Sequence, residues 1–293
     1  MIYFPKKSQA ENDAFSGFLD QIHNHLVYVL REKFGWHDLD VLPKISYGGG
    51  HVVIQFEKHG QRLIFRVPQH DVAQLNRSIL AYRHLGNYGL MPEKIYNDGK
   101  CIIEVYVDGQ SLNPTVSSQL IINMAQKLSS MHALPTSNYG PLAFDFHGIY
   151  TDAQAYYRAR SPIKVNRSEE DLTEVESDLI NSALKKVNEI HADLLTARTY
   201  IGHGDLWRKN ILVKQDEFKI IDWDKIGAYP IEHDLIFMID ADFTEGQKNL
   251  FFSNYSQKVN LDLLKWFALC ITMSNPRLRL RNKINKIRQH GLL

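Results

Sequence analysis

Residues 199–225 read TYIGHGDLWRKNILVKQDEFKIIDWDK. Two short apolar runs, 211–213 and 218–221, flank the polar tetrapeptide 214–217. That pattern predicts a β-hairpin. Folding the chain about the middle of the turn sets Asn210 opposite residue 221, within one position of Asp222. An amide oxygen and a carboxylate thus meet at one end of a small ribbon, and Asp205 stands on the loop just before it. Hard oxygen donors of this kind suit Mg²⁺, which takes one or two protein ligands beside substrate phosphates.

An Asp to orient an acceptor hydroxyl, and an Asn and a second Asp to hold metal, are the parts that phosphoryl transfer requires. In that reading Asp205 takes the acceptor, and Asn210 and Asp222 take the metal. The string His203-Gly-Asp205-Leu-x3-Asn210-Ile-Leu, followed by Ile221-Asp222-Trp223-Asp224, resembles the aminoglycoside phosphotransferase and choline kinase family. The resemblance implies an α+β, two-lobed, protein-kinase-like fold. A small N-terminal lobe would carry an antiparallel sheet, and a larger C-terminal lobe would be mostly helical. It also implies ATP and Mg²⁺ as cofactors and a small-molecule hydroxyl acceptor. Asp234, in Pro230-Ile-Glu-His-Asp234-Leu, matches the family's later Asp, which braces the catalytic loop.

Upstream, residues 44–47, 52–56 and 62–67 read as three strands of a small antiparallel sheet, joined by Gly48-Gly49-Gly50 and the His59-Gly60 turn. Glycines let backbone N–H groups approach phosphates closely, so Gly48, Gly49 and Gly50 are expected to cover the nucleotide. Arg66 occupies the slot where most of the family carries a phosphate-binding Lys. A guanidinium grips phosphate oxygens through two parallel donors. The helix expected over 72–85 should supply a Glu to orient that cation, yet no acid lies between Val72 and Met91. An acid from elsewhere, or Asn76 or Ser78, would have to take its place. The run from Cys101 to Leu112 resembles the family's hinge strand, and the backbone of Glu104, Val105 and Tyr106 is thereby expected to meet the adenine edge. The implied division is an N-lobe over 1–103, a hinge over 104–112 and a C-lobe over 113–293.

The remainder sets limits. At 293 residues, with 44% hydrophobic and 23% charged residues, the chain suits one two-lobed domain with a substantial core. A net charge of +1 gives no global field for nucleic acid. Two cysteines without a C-x-x-C pair point to a reducing compartment and no zinc site, and with no signal-peptide core at the N-terminus a cytoplasmic protein is expected. Helices are expected to about Phe34, over 120–132, and from Leu172 to Leu194. His132 is expected to tie a helix end to the core, and residues 135–148 read as loop. The basic segment 277–290 reads as a solvated helix face, with contact to a membrane surface as the alternative. Two rival functions remain open. One is a degenerate kinase-like protein that binds nucleotide as a switch, favoured by Arg66 and the missing helix Glu. The other is a protein kinase, opposed by Trp207 two residues after Asp205, where such kinases carry Lys. It is also opposed by the short stretch from Asp222 to Asp234. Neither the acceptor's identity nor an oligomeric state is legible.

Overall fold

Alternating apolar residues decide the first sheet. Val52, Ile54 and Phe56 recur at every second position, as do Leu63 and Phe65, and then Cys101 and Ile103. Side chains two apart share one face of a strand, so this set forms a single apolar surface. The computed structural model describes residues 9–37, 41–48, 51–69, 71–165, 172–275 and 278–293. Within them the surface is covered by helix α1 (Gln9–Phe34) through Ile22, Leu26, Val29 and Leu30. The strands are β1 (Val41–Gly48), β2 (His51–Lys58), β3 (Gln61–Pro68), β4 (Lys94–Asn97) and β5 (Ile102–Val105), with helix α2 (Val72–Leu85) inserted after β3. They pair antiparallel in the order β1-β2-β3-β5-β4.

The chain forms two compact units: 1–75 with 93–106, and 76–92 with 107–293. The second unit contains β6 (Gln110–Ser111), α3 (Ser118–Met131), β7 (Tyr139–Leu142), β8 (Gly148–Tyr150), α4 (Ala153–Ala159) and α5 (Glu174–Asn188). It continues with β9 (Tyr200–Gly202), β10 (Ile211–Lys214), β11 (Glu217–Ile220) and β12 (Gly227–Tyr229). Helices α6 (Ile231–Leu235), α7 (Phe237–Asp240), α8 (Glu245–Asn254), α9 (Leu261–Ser274) and α10 (Leu280–His290) complete it. The architecture is α+β, with an antiparallel sheet in the first unit and a largely helical second one.

The expected hairpin is β10–β11, with Ile211 opposite Ile220 and Lys214 opposite Glu217. Gln215 turns the chain with φ 55°. Beyond the ladder Ile221 N–H donates to Asn210 O at 2.9 Å, which is the pairing the sequence predicts. Strand β6 adds to the other edge of β10. Gly109 permits this approach, because a Cβ there would stand 3.0 Å from Val213 O.

Two elements differ from expectation. Residues 135–148 are not wholly loop. They contribute β7 to a four-stranded sheet of order β8-β7-β12-β9. Helix α5 begins with a capping box at Thr173 and Glu176 and stops at Asn188, where Glu189 turns extended. The segment to Leu195 then forms a separate 3₁₀ turn capped by His191, so the long helix is shorter than its apolar spacing suggests.

Candidate active site

The site is assembled on a loop whose backbone is bound at both ends. Asp234, on α6, is 1% exposed. Its Oδ2 accepts the His203 N–H at 2.5 Å and its Oδ1 the Gly204 N–H at 3.0 Å. His132, at the end of α3, donates from Nε2 to Asp234 Oδ2 at 3.2 Å, and its Nδ1 bonds Tyr255 Oη at 2.7 Å. Burial opposes ionisation of Asp234, but hydrogen bonds from His132 and His233 and the nearby imidazoles hold its carboxyl well below the usual carboxylate range. The loop brace and the helix-end tie are both present. Gly204 has φ 79°, and a Cβ there would collide with Lys225 O, so the middle residue of His-Gly-Asp is fixed by space and by backbone conformation.

His203 lies inside the loop and is fully buried. Its Nδ1 accepts the Asp205 N–H at 3.2 Å and its Nε2 donates to Ile221 O at 2.9 Å. This is the pattern of a neutral imidazole, and burial, outweighing Asp234, pushes its pKa below the ordinary value. Its ring meets Trp223 edge-on at 4.7 Å, and Trp223 Nε1–H donates to Ile220 O at 2.8 Å. The Trp of Asp-Trp-Asp therefore cements the hairpin to the loop.

Three of the candidate residues come together here. Asn210, 4% exposed, donates from Nδ2 to Asp205 O at 2.9 Å. The amide nitrogen thereby faces the Asp205 carbonyl, which leaves Oδ1 as the side chain's acceptor atom. Asp222 takes a left-handed backbone, φ 67°, and one of its carboxylate oxygens comes within 4.8 Å of one from Asp224. Asp205 is gripped at both oxygens. Trp207 Nε1–H donates to Oδ1 at 2.6 Å, and Lys225 Nζ to Oδ2 at 3.0 Å. Burial alone would raise the Asp205 carboxyl, but the Lys225 ammonium, aided by His203 and Trp207, holds it below the ordinary range. Reciprocally, burial pulls Lys225 down, while Asp205, Asp224 and Asp222 raise it above its usual value.

Lys225 and the indole of Trp207 are contacts to Asp205 that spacing does not reveal. In the sequence Trp207 stands out only for the Lys it replaces, with no sign of a bond to Asp205. Lys225 follows Asp224 in a 3₁₀ turn, and only that turn brings its ammonium back to residue 205. On α2, Arg77 donates from Nε to Asp224 O at 2.6 Å.

In the first unit, Arg66 and Glu104 form an ion pair at 3.7 Å, with both side chains largely buried. The register explains it. Arg66 faces Ile102 and Ile64 faces Glu104, so the two charged residues are diagonal neighbours on one sheet face. The acid absent from α2 is supplied by β5. Val105 N–H donates to Glu93 O at 2.8 Å and Tyr106 N–H to Arg62 O at 2.9 Å, so the N–H groups at 105 and 106 are already committed within the unit. Gly48 closes β1 opposite His51. Gly49 and Gly50 lie outside the described residues.

A family model described as the phosphotransferase enzyme family matches residues 45–260, and the chain belongs to that family. No curated protein matches it at a significant level. Among solved structures it resembles aminoglycoside 2'-phosphotransferase-IIIa in its GDP complex, with TM-score 0.62 and 16% identity over 92% of this chain and 96% of that one. It is also similar to aminoglycoside phosphotransferase APH(4)-Ia, with TM-score 0.58 and 16% identity, covering 92% and 96%. A choline/ethanolamine kinase family protein from Mesorhizobium loti gives TM-score 0.58 and 15% identity, covering 92% and 94%. Identities this low establish the shared fold, and the family match makes the chain a phosphotransferase.

Proposed function

We propose that this chain moves the γ-phosphate of ATP to a hydroxyl of a small polar molecule of the aminoglycoside, macrolide, amino-alcohol, vitamin or sugar kind. The observation that carries the reading is the Asp205 carboxylate, fixed by Trp207 and Lys225 beside Asn210 and Asp222. A carboxylate has about four acceptor positions, so Oδ2 can take the acceptor's O–H while keeping Lys225. Held below the ordinary range, Asp205 is a weak base. It orients the hydroxyl and receives its proton late, which suits a loose transition state needing little deprotonation beforehand.

Asn210 Oδ1 and the Asp222 carboxylate fit Mg²⁺ as hard oxygen donors, with Asp224 at hand as a further carboxylate. Mg²⁺ supplies charge neutralisation at the β- and γ-phosphates when bound. Arg66, aimed by Glu104, is assigned to the nucleotide phosphates, together with Gly48, Gly49 and Gly50. The backbone of Glu104, Val105 and Tyr106 is assigned to the base through groups other than the 105 and 106 N–H. The Arg66–Glu104 pair weighs against a degenerate nucleotide switch, because it gives Arg66 the acidic partner that α2 lacks. A protein acceptor is opposed by residues 223–235, which are taken up by a 3₁₀ turn, β12 and α6. An ATP-consumption screen over amino alcohols, sugars, vitamins, aminoglycosides and macrolides tests the reading. Mg²⁺-dependent turnover with at least one class supports it, and turnover only with a protein acceptor overturns it.

A further inference from the structure

Away from these groups, the first unit brings together three side chains that the phosphotransfer chemistry does not use. His25 comes from the middle of α1, Asp98 from the β4–β5 turn, and Cys101 from the residue before β5. One ligand atom of each lies within 4.8 Å of the other two. The carboxylate is already oriented, since Asp98 Oδ1 accepts the N–H of Lys100 at 2.8 Å and of Cys101 at 2.9 Å. Its Oδ2 is turned toward His25 Nε2 at 3.1 Å. His25 Nε2 is buried, yet it makes no hydrogen bond of acceptable geometry there. The imidazole is stacked with Tyr28, centroids 6.3 Å apart, and tilted against Phe65 at 6.1 Å. Cys101 is fully buried, whereas the His25 and Asp98 side chains remain about a quarter exposed, so the cluster is reached from solvent through these two.

We propose that His25, Asp98 and Cys101 form a Zn²⁺ site that staples α1 to the β4–β5 turn. Imidazole, thiolate and carboxylate together are a borderline-soft donor set that selects Zn²⁺ over Mg²⁺. Zn²⁺ bonds of about 2.0–2.3 Å place tetrahedral ligand atoms roughly 3.3–3.7 Å apart. The Asp98–His25 separation of 3.1 Å is already near that scale, and the sulfur, within 4.8 Å of both, has at most roughly 1.1–1.5 Å to close. Thiolate and carboxylate cancel the charge of the ion, so the occupied site is neutral where the metal-free one carries the single negative charge of Asp98. On binding, the Cys101 S–H bond breaks, an S–Zn bond forms and the proton leaves to water. His25 would bind through Nε2 as the neutral tautomer with its proton on Nδ1. One proton is therefore released per ion.

The test is Co²⁺ titration of the metal-free chain in excess Mg²⁺, followed by Zn²⁺ displacement. The wild type should give a thiolate-to-Co²⁺ charge-transfer band at one ion per chain, and Zn²⁺ should abolish it. The band should survive Cys270→Ser and vanish in Cys101→Ser. Because Cys101 is a core residue, His25→Gln, at a side chain still about a quarter exposed, serves as the second variant. It should weaken Co²⁺ binding at least about ten-fold in a chain whose cooperative metal-free unfolding shows that it still folds. It should also abolish the Tm rise that Zn²⁺ gives the wild type. No charge-transfer band at saturating Co²⁺, a band lost with Cys270 instead of Cys101, or unaltered affinity in His25→Gln would each overturn the site.

Discussion

At the scale of single residues, the most informative group is one that no motif named. Lys225 sits 3.0 Å from Asp205 Oδ2 and is the leading reason, against burial, that the carboxyl stays below the ordinary range. With Lys225→Met that support goes, and Asp205 should protonate at higher pH. The acid limb of the kcat/KM profile should then move upward relative to wild type. An unmoved limb would separate Lys225 from the Asp205 titration. The second residue-scale prediction concerns Glu104. It aims Arg66 across the sheet, so Glu104→Gln should raise KM for ATP about ten-fold, the order of one charge-assisted contact. Arg66→Lys, which keeps an ion pair with Glu104, should do less harm than Arg66→Ala. Equal KM values for Glu104→Gln and wild type would make the pair purely structural. Asp205, Asn210 and Asp222 were legible because their spacing needs only one hairpin. The Glu104 side chain as the partner of Arg66, and Lys225 as the partner of Asp205, were not, since a strand register and a 3₁₀ turn make those contacts.

At the scale of elements, strands with long alternating runs and helices with apolar stripes were legible in the sequence. The sheet of β7, β8, β9 and β12 escaped because each strand is three or four residues long and rich in Gly. Such segments are strands only through their partners. The basic α10 was expected as a solvated face, and for Lys283 that is corrected. This residue is 5% exposed, and its Nζ donates to Thr272 O, Met273 O and Asn275 O at 2.9, 2.7 and 2.7 Å. It closes the C-terminal end of α9, where carbonyls lack intrahelical partners. Lys286 and His290 meanwhile approach Asp242 at 3.6 and 3.3 Å. Replacing Lys283 by Met would strand three carbonyls and cost about 3 kcal/mol. Thermal unfolding should show Tm lowered on the order of 5–10 °C, and a shift under about 1 °C would remove the capping role.

At the scale of the whole chain, the family match over 45–260 spans both units, and no described helix is long and apolar enough to cross a membrane. Acid stability should depend on Asp234, which ties α3, α6 and the catalytic loop together. Its folded pKa is depressed, so its contribution is complete above the unfolded carboxylate value of about 3.9 and is lost as pH falls through and below it. Urea unfolding at pH 5 and pH 3 should show a large loss of stability in wild type and a smaller one in Asp234→Asn. Equal losses would assign the acid sensitivity to other carboxylates. The central claim, that Asp205 orients the acceptor and does not hold the nucleotide, is tested most directly by one paired measurement on Asp205→Asn. Its kcat with the best acceptor is measured beside its Kd for Mg²⁺–ATP. A fall in kcat of at least about a hundred-fold, with Kd within a few-fold of wild type, is the predicted result. Retention of more than about a tenth of wild-type kcat, or loss of nucleotide binding in step with turnover, would contradict it.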